Sequence, residues 1–322
     1  MKAPLITVGL TTFNAINTLD RAIASALAQT WQPIEFIVVD DASNDGTYER
    51  LLELAIRHLE LKVLRNSVNC GVAVSRNRIL SSASGEFVVF FDDDDVSLPW
   101  RIASQYERIT RYERDYASGA PVVCHTARRV VYPNGENRNQ STMGQTEGRY
   151  APAGEAVARR ILMGHPLKDG FGACPTCSQM ARLSTYFLIG GFDSELRRGE
   201  DTDFNIRLAI AGGHFVGIQE PLVCQIMTAT SDKSLAEEYR NMRAIIVKHR
   251  SFIEKFGQYA FCLHWLDAKQ AWFTNRFSTF FTKLLVLALR DPLLTVRRIA
   301  FALPNIGLNK AFIRFHGYRN RK

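Results

Sequence analysis

Glu86–Asp95, EFVVFFDDDD, decides how this chain folds: an apolar run the length of one buried strand ends abruptly in four adjacent aspartates. Near-continuous Val and Phe suit a strand covered on both faces, as in a parallel sheet flanked by helices. Four neighbouring carboxylates repel one another, so folding alone would not select them. A divalent cation relieves the repulsion and takes oxygen ligands. Residues two apart share a face of an extended segment, so Asp92 and Asp94 can point one way while Asp93 points the other. Mg²⁺ or Mn²⁺ on one or two carboxylates completes its shell with phosphate oxygens and water. It would then neutralise charge building on a departing diphosphate. An acidic surface turn is the plainer alternative, and the buried strand ahead of it argues against that. A calcium loop would need Gly at its sixth position and Glu at its twelfth, and neither follows.

Upstream of this run the two hydrophobic periods alternate. Leu5–Leu10, Ile34–Asp40 and Leu61–Leu64 have strand character, while Thr18–Gln29, Gly46–His58 and Val72–Ser81 have helical spacing. Strand and helix in alternation predict βαβ units and a mostly parallel, Rossmann-like α/β sheet. Such sheets bind ligands at the carboxyl ends of their strands. Three strand ends here are polar: Thr11-Thr12-Phe13-Asn14, Asp40-Asp41-Ala42-Ser43 and the Asp92 run. Any one of them reads equally well as a helix cap or turn. The three together predict a site. Further on, Pro121–His125 has the character of another strand, and the polar, Gly-rich stretch Asn134–Gly154 is expected to be a loop over or beside the site.

Composition sets the outer bounds. The chain has 322 residues, of which 46% are hydrophobic and 22% charged, as in ordinary globular proteins. The N-terminus enters a strand-like run without basic, apolar and cleavage regions, and six cysteines lie scattered. Both features predict a cytoplasmic protein with reduced thiols. The formal charge of +8 is unevenly spread: from Arg240 onward sixteen Lys or Arg face three acids, a balance of +13, which leaves −5 for residues 1–239. That tail is also aromatic. Trp272, Phe273, Phe277, Phe280, Phe281, Leu284, Leu285 and Leu287 recur at helical spacing, with Arg276, Lys283 and Arg290 seven apart; Pro292 is expected to end the helix. Arg297, Arg298, Arg314, Arg319, Arg321 and Lys322 add charge. The uncharged runs are too short to span a bilayer. A basic amphipathic helix with aromatics suits an anionic membrane interface, here the inner face of the membrane. Packing on the catalytic domain or a homodimer seam is the alternative. Nucleic-acid binding would also use a basic tail, but the acidic body opposes it. A dinucleotide-dependent dehydrogenase is excluded, since no G-x-G-x-x-G follows the first strand.

Several segments, in order, resemble one family: TTFN, the helix ending AQTW, VVDDASNDGT, NCGVAVSRNRIL, ASGEFVVFFDDDD followed by LPWRI, GGFDSEL and GEDTDFNIRLAIAGG. The order and spacing, over roughly residues 4–225, are those of family 2 glycosyltransferases. The resemblance implies a GT-A fold, a nucleotide-sugar donor (UDP being the commonest base choice), Mn²⁺ or Mg²⁺ as cofactor, inversion at the anomeric carbon, and a saccharide or lipid-linked acceptor. It implies that Thr11, Asp40, Asp41 and Arg76 face the nucleotide, with Asp41 toward the base edge. Counted back from Pro99, the family's D-x-D-D pattern falls on Asp92, Asp94 and Asp95. Asp94 is then the first metal ligand, and Asp92 turns to the ribose or the metal. Asp93 stands at the variable position beside the nucleotide. Glu200-Asp201 matches the E-D pair, which makes Asp201 the catalytic base. Alone it would read as a helix cap, with the helix starting at Thr202–Asp203. Cys174 and Cys177 have CxxC spacing but no matched second pair of zinc ligands. Together with Glu200 they are assigned to the wall of the acceptor or donor-sugar pocket, with core packing as the alternative. Where the family often has a His-containing or Ser-rich diphosphate loop, this chain has MTATSDKS, in which Lys233 could substitute.

These expectations divide the chain into a catalytic domain, residues 1–235 (nucleotide part to about 115, acceptor part after it), and a helical tail, 236–322. The leading function is metal-dependent glycosyl transfer in the synthesis of a surface polysaccharide, lipopolysaccharide or glycoconjugate. A nucleotide-sugar-binding protein without turnover is the alternative, which the presence of both Asp94 and Asp201 disfavours.

Overall fold

The computed structural model describes residues 3–227 and 234–302; Lys233 and the tail positions from Arg314 onward lie outside them. Its first part alternates as the hydrophobic periods require: β1 (Ile6–Thr12), α1 (Leu19–Leu27), β2 (Ile34–Asp40), α2 (Thr47–Arg57), β3 (Leu61–Arg65), α3 (Val72–Ser82) and β4 (Phe87–Asp92). There follow β5 (Val96–Ser97), α4 (Arg101–Tyr112), β6 (Val122–Val131), β7 (Asn137–Gln140), α5 (Gly154–Met163), β8 (Gln179–Arg182), α6 (Leu183–Ile189), α7 (Glu200–Ile210) and β9 (His214–Ile226). The strands form one nine-stranded mixed sheet in the order β3-β2-β1-β4-β8-β6-β9-β5, with β7 on β6. β3, β2, β1 and β4 are mutually parallel, and β8 pairs antiparallel with both β4 and β6.

This order determines where ligands go. The chain winds from β1 outward through β2 and β3, then crosses back to add β4 on the other side of β1. The crevice at the carboxyl ends of β1 and β4 is therefore a topological switch point. Thr11 stands in register with Val39 and with Asp92, and Thr12 with Asp40, so the three polar strand ends lie side by side. Beneath them Ile6, Val8, Leu10, Val38, Phe87 and Val89 form the core with Leu19, Ile23 and Leu51 from the helices. Each fully buried side chain of this kind contributes about 1.5–3 kcal/mol. The sheet is thus a rigid base for a polar rim.

Two compact units divide the chain: Met1–Glu155 with Lys168–Thr228, and Ala156–Leu167 with Ala229–Lys322. Residues 156–167, which the linear reading assigns to the catalytic part, cluster with the second unit. That unit holds α8 (Leu235–Lys248), α9 (Arg250–Glu254), α10 (Tyr259–Phe273), α11 (Phe277–Arg290) and α12 (Pro292–Ala302). Phe261, Ala268 and Leu287 form a small core, flanked by Trp265, Phe280 and Leu294.

Three local expectations change. The stretch Asn134–Gly154 contains β7, whose polar residues pair with the end of β6. The aromatic tail is two helices: Asn275 takes φ 58°, and the Arg276 amide bonds back to the Ala271 carbonyl at 2.9 Å, a left-handed helix stop that Asn tolerates. Trp272 and Phe273 therefore end α10, and Arg276 precedes α11. Pro292 opens α12 instead of only ending α11, because the first helical position needs no amide donor.

Candidate functional site

Arg76 organises the crevice. It projects from α3 and is nearly inaccessible to solvent. One guanidinium nitrogen donates to Glu200 Oε1 at 2.5 Å and another to Asp92 Oδ1 at 3.3 Å. The rings of Phe90 and Phe192 lie 5.9 and 5.5 Å from it. Burial works against its charge, yet Glu200, Asp92 and Asp201 outweigh burial and hold it above its ordinary pKa. One cation thus ties the end of β4 to the start of α7, 124 residues apart in sequence from α3.

The four aspartates separate into different roles. Asp93 accepts from the Phe13 amide at 3.1 Å, which fastens the acidic turn to the end of β1. Desolvation, with Asp94 and Asp92 beside it, pushes its carboxyl up to about 7. The Asp94 carbonyl accepts from Arg21 at 3.1 Å. Asp95 is buried; Oδ1 accepts from the Ile226 amide at 3.0 Å, and Oδ2 has no hydrogen-bond partner. Burial and the charges of Asp92 and Asp94 raise its carboxyl well above the usual range. Single ligand atoms of Asp92, Asp95 and Cys177 all lie within 4.8 Å of one another, a spacing a metal ion can bridge. The buried, unpartnered Asp95 oxygen beside further carboxylates is the hard-oxygen environment that suits Mg²⁺ or Mn²⁺. Cys177 fits less well as a donor to such a hard cation, because sulfur is a soft ligand, and burial pushes its thiol well above the usual range. Asp94, the ligand preferred on resemblance, lies outside this three-residue group.

Asp201 sits in the first turn of α7, which starts at Glu200 and not at Thr202. Gly199 precedes it at φ 79°, a left-handed conformation that Gly adopts without strain. Asp201 Oδ1 accepts from the Thr202 amide at 2.6 Å. Glu200 is buried against Arg76, with its pKa raised by burial, lowered again by Arg76 and raised by Asp201. Cys174 is half-buried, its thiol pushed up to about 11 by burial, with Asp201 among the charges acting on it. Cys177 is buried beside Asp92 and Asp95, whereas the Cys174 carbonyl accepts from Asn205 Nδ2 of α7 at 2.8 Å.

The nucleotide side is shaped by Asp41. Its carboxylate is buried and accepts from Asn66 Nδ2 at 2.7 Å, the Cys70 amide at 2.9 Å and the Gly71 amide at 2.8 Å. Asp41 therefore builds the loop that leads into α3, and Oδ2, with its single bond, keeps acceptor capacity. Asp40 is fully buried beside Arg65 at 3.3 Å and accepts from the Ser43 amide. Thr11 is buried at the end of β1.

Sequence reasoning missed three residues. Asn66 fixes the Asp41 loop. Arg197 reaches Asn69 Oδ1 at 2.9 Å and lies over Gly71. Arg101, completely buried, donates to Ser97 Oγ, the Phe90 carbonyl and Gln105 Oε1 below the aspartates, and burial lowers its pKa to about 10. The signal for Arg101 was an Arg on the apolar face of α4, level with Ile102, Gln105 and Ile109.

A mixed α/β sheet with an acidic strand end, a buried Arg and an E-D helix start is the arrangement that the resemblance to family 2 glycosyltransferases leads one to expect. The family model for glycosyl transferase family 2 matches residues 7–165. The putative glycosyltransferase EpsE of Bacillus subtilis is 35% identical over 224 residues, 68% of this chain and 72% of that protein. A protein of Escherichia coli named UDP-Glc:alpha-D-GlcNAc-diphosphoundecaprenol beta-1,3-glucosyltransferase WfgD is 31% identical over 115 residues, covering 36% of this chain and 45% of its own length. In fold, the chain is similar to the mannosyltransferase PcManGT from Pyrobaculum calidifontis, solved with GDP-Man and Mn²⁺, with a TM-score of 0.57 over 99% of this chain and 87% of that one at 15% identity. The chain belongs to glycosyl transferase family 2 and is a glycosyltransferase.

Proposed function

We propose that the chain transfers a sugar from a UDP-linked donor to an acceptor hydroxyl with inversion, on a saccharide or lipid-linked acceptor, in the synthesis of a surface polysaccharide, lipopolysaccharide or related glycoconjugate. The observation that carries this reading is the Arg76 bridge, which joins the acidic run through Asp92 to the E-D pair through Glu200. That bridge supports a site in which phosphate-neutralising and proton-accepting groups act together.

Thr11, the Asp40-Asp41 loop and Arg76 bind and orient the nucleotide, and Asp93 holds the acidic turn against β1. Asp92, Asp94 and Asp95 are the residues that would hold Mn²⁺ or Mg²⁺, which when bound neutralises the diphosphate. Asp201 accepts the proton of the acceptor hydroxyl as its oxygen attacks the anomeric carbon. The bond from that carbon to the diphosphate oxygen breaks, and the diphosphate leaves with the electron pair. Glu200 and Cys174 are assigned to the sugar side, while Cys177, buried beside Asp92 and Asp95, follows the alternative of core packing. Support for UDP and for a lipid-linked acceptor comes from the name of the Escherichia coli relative; support for Mn²⁺ comes from the Pyrobaculum complex. No helix among the described residues is long and apolar enough to cross a membrane. Access to a lipid-linked acceptor would run through the basic C-terminal part, on the cytoplasmic side. A thermal-shift panel of nucleotide sugars with and without Mn²⁺ tests the donor, since a bound ligand raises apparent stability. Identical melting with UDP-, GDP- and dTDP-sugars would remove the reading.

A further inference from the structure

Residues 156–167 and 292–302 both belong to the second unit, and together they contain four arginines, one histidine and no acid. Arg160 is taken up by the Phe301 ring, 4.0 Å away. The others gather at the C-terminal end of α5. Arg298 of α12 reaches Gly164, where a Cβ would overlap its Nη1; Gly164, at φ 63°, leaves room for the guanidinium. The same guanidinium stands 5.7 Å from the Trp265 ring. Arg159 of α5 places Nη2 3.1 Å from His165 Nε2 and its guanidinium 4.5 Å from the Phe256 ring. Burial, and then the charges of Arg159, Arg297 and Arg298, hold His165 below its ordinary pKa. Burial lowers Arg298 as well, and the Cys262 thiol acts to raise it. Among the described residues, no carboxylate acts on either group. Arg159 Nε and Arg298 Nη1 are buried and have no hydrogen-bond partner among those residues.

A cation at a helix C-terminus can serve simply to cap the last carbonyls. Those carbonyls are already occupied here. Arg159 O accepts from the His165 amide at 3.3 Å, Arg160 O from the Gly164 amide at 3.1 Å, and Leu162 O from Cys262 Sγ at 3.7 Å. Buried N–H groups without an acceptor are unfavourable, and so are like charges gathered without a counter-charge. One multivalent oxyanion relieves both. We propose that Arg159, His165, Arg297 and Arg298 form a binding site for a phosphate group, carried as a monoester or a diphosphate. A carboxylate would bring one charge and two oxygens to three guanidiniums. A phosphate monoester brings about two charges and three acceptor oxygens, and guanidinium forks match that geometry. Arg297 is the exposed member, so the anion enters from its side. The site shares no residue with the crevice of the first unit and does not depend on the donor assigned there. A free phosphate compound and the head of a phosphorylated lipid present the same chemistry to it.

The test is titration calorimetry of the full chain, in chelator and without nucleotide sugar. The probes are inorganic pyrophosphate and the soluble lipid dihexanoyl phosphatidic acid. Wild type is expected to bind both. Tighter binding of phosphatidic acid would assign the site to a lipid head, and equal or tighter binding of pyrophosphate to a free anion. Arg298→Met, which keeps the bulk and removes the unpartnered cation, should weaken binding about tenfold or more, as for one charge-assisted hydrogen bond. Arg297→Gln should weaken it less and flatten its salt dependence. Failure of wild type to bind either probe overturns the proposal. So does binding that Arg298→Met leaves unchanged, which would put the anion elsewhere on the protein. Should Arg298→Met fail to fold, the exposed Arg297→Gln decides, and an unchanged affinity and salt dependence overturn the site. Donor-dependent thermal shift, recorded on the same variants, reports on the catalytic reading separately.

Discussion

The two units invert the usual distribution of side chains. The first buries charge: Asp40, Asp41, Arg76, Asp95, Arg101 and Glu200 are all buried. The second exposes hydrocarbon, with Phe281, Leu289 and Leu293 largely in solvent. Each departure is unfavourable for the isolated unit, so each points to a partner. Buried carboxylates gain from cations and from hydrogen bonds to a ligand, whereas an exposed apolar face gains from being covered.

Asp201→Asn should sharpen that contrast most. It should reduce transfer by about 10²–10⁴-fold, the usual contribution of a general base, while donor binding by thermal shift stays intact; full activity in a folded variant would dismiss Asp201 as the base. Arg76→Ala should destabilise the protein by about 3–5 kcal/mol in denaturant melts, because Glu200 and Asp92 lose their buried partner. Arg76→Met, which fills the space, should also lose donor binding; a variant with wild-type stability and binding would refute the bridge.

Acid provides a third break. Burial, assisted by Arg128 and Arg101, lowers the His125 imidazole to about 3. A depressed histidine stabilises the fold above its unfolded pKa near 6.5 and ceases to do so as pH falls toward 3. Stability should thus decline below pH 6.5 by up to about 1.4 kcal/mol per pH unit from this group. In His125→Gln the decline should be shallower, and parallel curves would contradict the assignment. Asp95→Asn should act more gently. Without metal it should leave the melting temperature unchanged or raise it, since it removes one of the repelling carboxylates; with Mn²⁺ it should shrink the metal-dependent shift by comparison with wild type. An equal Mn²⁺ shift in both proteins would take Asp95 out of the ligand set and favour Asp94. The smallest effect belongs to the second unit. Leu289→Ser should change stability by no more than about 0.5 kcal/mol, as for an exposed position, and a larger loss would mean that the α11 face is already covered.

Much of this was legible in the chain itself. Apolar periodicity located β1 through β4 and the helices between them, because strand and helix are decided locally when one or both faces must be buried. The acids at Asp92–Asp95 and at Glu200–Asp201 announced themselves by clustering. Legibility failed where a side chain's role depends on a partner distant in sequence. Asp41 resembles a ligand-facing acid, yet most of its hydrogen bonds serve the loop from Asn66 to Gly71. Asp93 and Asp95 look equivalent to their neighbours, but one fastens β1 and the other meets the end of β9.

The sequence by itself determined the α/β architecture, the acidic strand end and the basic, aromatic character of the C-terminal part. Those follow from periodicity and composition, which are local properties. Only the tertiary structure decided that Arg76 joins Asp92 to Glu200 and that Cys177 lies beside Asp92 and Asp95. It also decided that the aromatic stretch breaks at Asn275 into two helices with one apolar side outward. Hydrogen bonds and burial depend on which strands become neighbours, and the return of the chain from β3 to β4 across β1 sets that.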